Sequence, residues 1–426
     1  MTPFSGLRRF PQGRGFKQWT GDDSKALMKV VYLPVIQGYV PDDMVRAIHI
    51  FLEFCYIARK NIIHTNDINH LNAALDRFHQ YREIFITVGV RADFNLPRQH
   101  SLMHFAALMR AFGAPNGLCS SITESKHIKA VKEPWRRSNR YQATIQMMTT
   151  NTRLDKLAAM QADFVRRGML PATAKPPDPT TDEAEDANAV AGPRVTSSVQ
   201  LAKKATRTKV EVKELAEELV QPNFAHLVNN FLYEQIHPDS GSDSGSHSSA
   251  PQTLLNFRGT IDIYPSAQAI FYAPSDLCGT GGMRKELIRA VPSWFNGPAR
   301  YNTVFVETAP DENGMLALDA ARIRLFFSLE FRGTVYPCAL VHWYQRIDDV
   351  PDDTTGMWVV QPEVDENDRP LAAILHLDTI LRASHLIPIF GTTTVPRGLS
   401  PAHSLDIFRA FYVNKFVDHH AFEIAF

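Results

Sequence analysis

Two stretches of this chain are unsuited to a hydrophobic core, and they constrain how everything else is arranged. Residues 171–207 include PATAKPPDPTTDEAEDANAVAGPR, poor in large apolar side chains and rich in Pro, Ala and acids. Such a segment buries too little apolar surface to offset the entropy of ordering it. Residues 237–252, HPDSGSDSGSHSSAPQ, have the Ser/Gly composition of flexible coil. The 426 residues are therefore expected to divide into a region at 1–170, a disordered linker at 171–207, a helical segment at 208–236, a Ser/Gly linker at 237–252 and a C-terminal domain at 253–426.

Periodicity differs on the two sides of the linkers. Before them it is helical. MVRAIHIFLEFCYIA in Asp42 to Arg59 and the stretch Leu71 to Ile86 carry apolar residues at helical spacing. Asn95 with Pro97 starts another helix, whose stripe is Leu102, Phe105, Ala106, Met109 and Phe112. A long helix is expected from Asn139 to Arg167. After the linkers the period shortens. ARIRLFFSLEF alternates, which puts Ile323, Leu325, Phe327, Leu329 and Phe331 on one face. Gly333 marks a turn, and YPCALVHWYQRI and GMWVVQP read as further strands. SLDIFRAFYVNKFVDHH reads as a closing helix with Leu405, Phe408, Tyr412 and Phe416 on one side. The expected fold class is α+β and multidomain: a helical N-terminal region and a small antiparallel β domain with helices.

Net charge excludes little, because Lys+Arg and Asp+Glu both number 45. Cys55, Cys119, Cys278 and Cys338 lie far apart, without the CxxC spacing of a zinc site or the density of a disulfide framework. The N-terminus, MTPFSGLRRFPQGRGFKQW, has no apolar signal core, and no apolar run is long enough for a bilayer. The expectation is a chain that is neither secreted nor membrane-spanning, with the nucleus or cytoplasm as its place.

Local charge is more informative. LCSSITESKHIKAVKEPWRRSNRY places Glu124 ahead of Lys126, Lys129, Lys132, Arg136, Arg137 and Arg140. On a continuous α-helix the six bases fall within an arc of roughly 140°, while Ile128, Val131 and Trp135 form a separate apolar stripe. Trp135 is expected in the core. Between 121 and 170 there are ten Lys/Arg and four acids, a one-sided excess in a neutral chain. A solvated face is the plain reading; a track for phosphate backbones is the sharper one. Glu124 also has two readings. Ser121-Ile122-Thr123-Glu124 fits a capping box, and the wheel places the same carboxylate on the apolar side, where a metal-binding acid would sit.

The remaining candidates are weaker. His100 and His104 stand at i, i+4 spacing that can chelate a metal, without a third ligand in view. His419, His420 and Glu423 are expected as solvated helix-end groups. Asp22, Asp23, Asp42 and Asp43 are expected in loops. RIDDVPDDTTG is loop-like without calcium-loop spacing, and GTGG at 279–282 is a turn rather than a phosphate cradle.

The line LPRQHSLMHFAALMRAFGAPNGLCSSITESKHIKAVKEPWRRSNRY resembles the C-terminal part of Plavaka-type transposases, the CACTA-related cut-and-paste elements of fungi. FKQWTGDDSKALMKVVYLPVIQGYVPDDMV, FLEFCYIARKNI, FVETAPDENGM, RIRLFFSLEFRGTVYPCALVHW, TGMWVV and AFYVNKFVDHHAFEIAF extend the likeness over nearly the whole chain. It implies kinship with RNase H-like DDE enzymes, in which two aspartates and a glutamate hold Mg²⁺ for attack on a phosphodiester. The glutamate maps onto Glu124, with His100 and His104 as near-site residues. The strands that would carry both aspartates precede the part this chain resembles. The resemblance therefore implies a DNA-binding, catalytically incomplete transposase-like protein, with no cofactor held by this chain alone. A domesticated DNA- or chromatin-binding module is the alternative, with a β domain whose protein partner is unknown. A third reading, remote from both, is an unrelated metal hydrolase built on the histidines.

Overall fold

A computed structural model describes residues 2, 4, 6, 7, 21–30, 32–117, 127–170, 190, 194–237, 256–276, 278, 281–392, 395 and 398–426. Its helices are α1 (Gly21–Val30), α2 (Tyr32–Ile36), α3 (Asp42–Ala58), α4 (Thr65–Tyr81), α5 (Phe105–Phe112), α6 (Glu133–Arg137), α7 (Ala143–Arg166), α8 (Val212–Glu218), α9 (Phe224–Ile236) and α10 (His419–Ile424), besides single turns. Its strands are β1 (Ser197–Leu201), β2 (Arg207–Glu211), β3 (Thr260–Tyr264), β4 (Ser266–Tyr272), β5 (Met283–Val291), β6 (Arg300–Tyr301), β7 (Thr303–Glu307), β8 (Leu318–Phe331), β9 (Thr334–Arg346), β10 (Val359–Pro362), β11 (Ala372–His376), β12 (Ile380–Ser384), β13 (Leu386–Pro388) and β14 (Phe411–Val413). The chain is thus a mixed α and β structure with antiparallel sheets. Among the described residues no helix is long and apolar enough to cross a membrane.

The strand-forming run Leu318–Phe331 is the centre of the larger sheet. β9 pairs along one side of β8, while β7 and then β3 share the other. The register with β9 shifts between Ile323 and Leu325, a bulge at Arg324. An extra residue turns every later side chain over. Ile323 and Phe326 therefore enter one buried cluster, and Leu325, Phe327 and Leu329 enter another. This corrects the expectation of a single face: the alternation is real but changes sides at the bulge. The second cluster is closed by Leu215 of α8 and by Phe224, Val228, Phe231 and Leu232 of α9. The segment expected as a separate helical unit is thus a layer of the β structure.

The linker expectation is corrected at its C-terminal end. Ser197–Leu201 forms β1 and pairs antiparallel with β4, and Arg207–Glu211 forms β2. Residues 171–189, 191–193 and 238–255 lie outside the described ones. A smaller sheet of order β1-β4-β5-β6 lies with its inner side on the cluster of Ile323 and Phe326.

Helix α3 is used on two sides. Asp42 and Asp43 occupy its first turn, where acids favour a helix start, and not the expected loop. Asp22 and Asp23 likewise lie within α1. Ile50, Phe54 and Ile57 meet Leu71, Leu75 and Phe78 of α4 and Met109 of α5. Val45, Leu52 and Tyr56 meet Met357, Ile387, Tyr412 and Phe416. Polar contacts follow the same seam: the Tyr56 hydroxyl donates to the Phe416 carbonyl, and Glu53 accepts from Lys415 Nζ at 2.9 Å and Arg77 Nη2 at 3.1 Å. A Cβ at Gly356 (φ 64°) would collide with the His49 ring, so only glycine admits this close approach.

The C-terminal helix is also corrected. Ser404–Ile407 makes one turn, Phe411–Val413 is a strand between β10 and β13, and α10 begins at His419. Phe411, Tyr412 and Val413 are all buried, so both sides of that strand serve the core. Sheet pairing and burial outweigh a coincidental helical spacing.

At the centre lies Arg382 of β12, 0 % exposed. Its Nη1 and Nη2 donate to Asp418 at 2.9 and 2.7 Å, a bidentate pair, and Nη2 donates to Glu286 of β5 at 3.1 Å. Nη1 also lies 3.1 Å from His420 Nδ1, and an arginine only donates, so that imidazole nitrogen accepts. Asp418 caps α10 through the Ala421 amide at 2.8 Å. Asp276 accepts from the His419 and His420 amides at 3.1 and 3.0 Å and faces Arg284 at 3.2 Å. His420 is buried and stacks on Phe271, which corrects the expectation of a solvated helix end. Burial pushes Asp276 and Glu286 above the usual carboxylate range. Burial acts the same way on Asp418, but the charge and hydrogen bonds of Arg382, the Arg284 charge and the Ala421 amide together outweigh it and hold that carboxyl below the range.

Removing Arg382 strands two carboxylates, Glu286 and Asp418, in the interior. Arg382→Ala is expected to cost about 3–5 kcal/mol of stability in urea unfolding. A loss below about 1 kcal/mol would refute the central role given to this side chain. A second prediction concerns His385, whose Nδ1 lies 2.9 Å from Asn414 Nδ2 and whose Nε2 lies 3.2 Å from the Thr2 carbonyl. Burial pulls its pKa down to about 4. The unfolded imidazole binds a proton near pH 6.5 and the folded one does not, so its neutral form stabilises the fold fully above about pH 6.5. That stability is lost as pH falls toward 4, by up to about 1.4 kcal/mol per pH unit. Thermal unfolding across this window, compared with His385→Gln, checks it; parallel pH curves for the two proteins would contradict it.

Candidate nucleic-acid interface

The basic stretch folds as a helical hairpin. Ile128–Lys132 forms a π turn that runs into α6, with Pro134 in the first turn of that helix. Proline has no amide to offer the carbonyl four residues back, Ala130. Asn151 of α7 supplies the missing donor, its Nδ2 reaching the Ala130 carbonyl at 2.8 Å. The chain leaves α6 at Ser138, whose hydroxyl donates to the Trp135 carbonyl at 2.8 Å. Arg140 and Gln142 take left-handed backbone angles (φ 66° and 45°), and Gln146 Nε2 of α7 donates to Asn139 Oδ1 at 2.6 Å. Two side chains of α7 thus hold the other arm of the hairpin. The sequence signal for Asn151 is a proline inside a helical run: it orphans a carbonyl, and a nearby amide side chain can answer it.

Lys129, Lys132, Arg136, Arg137 and Arg140 are all exposed, as are Arg153, Lys156, Arg166 and Arg167 of the returning helix and its end. The acids near them are few. Glu133 lies 4.0 Å from Arg137, and Asp163 pairs with Arg167 at 2.7 Å and also with Arg166. The apolar stripe is not where the wheel puts it. Ile128, Val131 and Trp135 are 40, 39 and 45 % exposed, which corrects the expected burial of Trp135. A π turn closes i→i+5 bonds and turns the chain less per residue than an α-helix, so the face expected at α-geometry rotates outward. Bases and an aromatic ring are therefore displayed together.

Glu124 and Lys126 lie outside the described residues, and so does the expected capping box. His100 and His104 are exposed, with ring centroids 5.3 Å apart and nearly perpendicular. Among the described residues no three His, Cys, Asp or Glu side chains converge as metal ligands. Two Mg²⁺ ions each need several oxygen ligands. The described residues do not fit that pair. Asp276 is engaged by Arg284, and Glu286 and Asp418 are buried and engaged by Arg382.

Comparisons with protein-family models, with curated proteins and with solved structures find no match to this chain.

Proposed function

We propose that this chain is a transposase-like DNA-binding protein of the nucleus whose basic hairpin, residues 127–167, tracks the phosphate backbone of duplex DNA. The observation that carries the reading is the exposure of Lys129, Lys132, Arg136, Arg137 and Arg140 on one short hairpin. Exposed guanidinium and ammonium groups gain from phosphate contact mainly through release of condensed counterions, a sequence-independent term. The resemblance to Plavaka-type transposases supports DNA as the polyanion, with an RNase H-like core as its implied setting. Only one acid of the implied metal site, Glu124, maps onto this sequence. The proposed protein therefore binds DNA without cutting it unaided.

Fluorescence anisotropy of a duplex across a salt series tests this. Log affinity is expected to fall linearly with log salt, and Lys132→Gln/Arg136→Gln/Arg140→Gln to reduce the slope by about 0.9 for each phosphate left unneutralised. An unchanged slope sinks the role of the hairpin. Supercoiled plasmid with Mg²⁺ should stay intact; nicking that disappears in Glu124→Ala would show a complete active site instead.

A further inference from the structure

The sheet β1-β4-β5-β6 has two unlike faces. Its inner face carries Val199, Ala267, Ala269, Phe271 and Ile288, all within one buried cluster. Strand alternation sends Lys285, Leu287 and Arg289 of β5, and Arg300 opposite Val291, to the other face. Met283, at the start of β5, is buried, but further along this side Leu287 is 42 % exposed, and neither it nor the neighbouring Ile270 joins a buried cluster. The one acid on these four strands, Glu286, points inward to Arg382. The outer face is consequently cationic. Arg194 adds to it, lying 3.6 Å from the ring centre of Tyr272.

The β5–β6 hairpin ends in Trp294-Phe295-Asn296-Gly297. Gly297 N donates to the Trp294 carbonyl at 2.9 Å, and Phe295 and Asn296 have φ of 50° and 57°. Two left-handed central residues make the tight turn that suits a twisted hairpin, and Asn accepts that conformation readily. Phenylalanine does not, and a bulky residue at positive φ is strained. Phe295 is repaid only by an edge contact with the Trp294 ring at 4.4 Å, and it stays 86 % exposed. Beside it the Arg289 guanidinium lies 3.6 Å from the Trp294 ring centre, with that of Arg300 at 5.7 Å. Among the described residues Arg289 has no carboxylate partner, and burial lowers its pKa, so its charge is held half-dry without a counterion.

We propose that this outer face binds single-stranded nucleic acid, with a base stacked on Phe295 and phosphates met by Arg289 and Arg300. Charge complementarity argues for a polyanion, and the strained, solvent-facing ring argues for unpaired bases. A duplex offers phosphates but keeps its base faces stacked, whereas a single strand offers both. Guanidinium groups already laid on an indole are oriented before the ligand arrives. This surface is separate from the basic hairpin of residues 127–167, and the proposal does not rest on that reading.

The test uses the full chain with labelled oligothymidylate and oligouridylate, which separate DNA from RNA as the source of the strand. Phe295→Gly should weaken binding about tenfold. It should also raise the melting temperature, since glycine takes the left-handed turn without strain. Arg289→Gln/Arg300→Gln should cut the salt slope by about 0.7 for each phosphate left unneutralised. Lys132→Gln/Arg136→Gln/Arg140→Gln should impair duplex binding and leave oligonucleotide binding intact. Three results overturn the proposal: no binding of either oligonucleotide; full affinity in Phe295→Gly; or weakening confined to the triple variant. If the arginine double variant fails to fold, Phe295→Gly decides alone, because its side chain lies in solvent.

Discussion

A guanidinium with no access to water must find its whole solvation shell inside the protein, and Arg382 does so by drawing several distant segments together. A lone buried charge is too costly to persist, so partners from β5, from the cap of α10 and from α10 itself must all be in place at once. Glu286 fixes where β5 lies against β12, because its second oxygen also takes the Ala383 amide at 2.6 Å. Asp418 fixes where α10 starts. Asp276 then ties the end of β4 to the first two amides of that helix. Geometry is over-determined here, and the smaller sheet is held by its inner face as a result.

The same anchoring reaches the helical part of the chain. Phe416 and Phe422, which flank the Asp418 cap, pack with Tyr56 of α3 at ring separations of 5.4 and 5.1 Å. Helix α3 is therefore seated by the segment that the arginine orders, and α4 and α5 follow on its opposite side. The regions before and after the linkers share a core along this seam. Two compositionally distinct halves need not be two independently packed ones: a linker interrupts the sequence, while burial is decided by which apolar faces meet.

Elements governed by local periodicity were legible in the sequence. Helix α3 and strands β9 and β10 lie where spacing and turn residues put them, and α4 overlaps its expected stretch but starts at Thr65 and ends at Tyr81. Elements governed by distant partners were not. Glu286 sits in MRKELIRAV, where no neighbour marks it for burial; its partner Arg382 comes 96 residues later. Phe411–Val413 reads as helix because its neighbours happen to repeat at helical spacing; only burial on both sides and pairing with β10 and β13 make it a strand. Ser197–Leu201 looked too polar for a core strand, yet an edge strand with a solvent face needs few apolar residues, and Val199 suffices. At the basic hairpin the residue types were legible but their direction was not, since one π turn rotates the helix face.

Charge follows the same logic. A total of 45 bases against 45 acids says nothing about partners, because a polyanion responds to charge at the surface it meets and, at physiological salt, to little beyond about 8 Å. Around Arg284 and Arg382 the fold turns acids inward. Glu286 and Asp418 are spent inside against Arg382, and Asp276 is paired with Arg284. The strand that buries Glu286 presents lysine and arginine on its reverse side. Strand alternation makes this coupling unavoidable: Glu286 faces inward because Arg382 requires it, so Lys285 and Leu287 must face outward. A cationic outer face is thus a direct consequence of solvating one buried arginine, and a chain neutral in sum acquires a surface suited to phosphate.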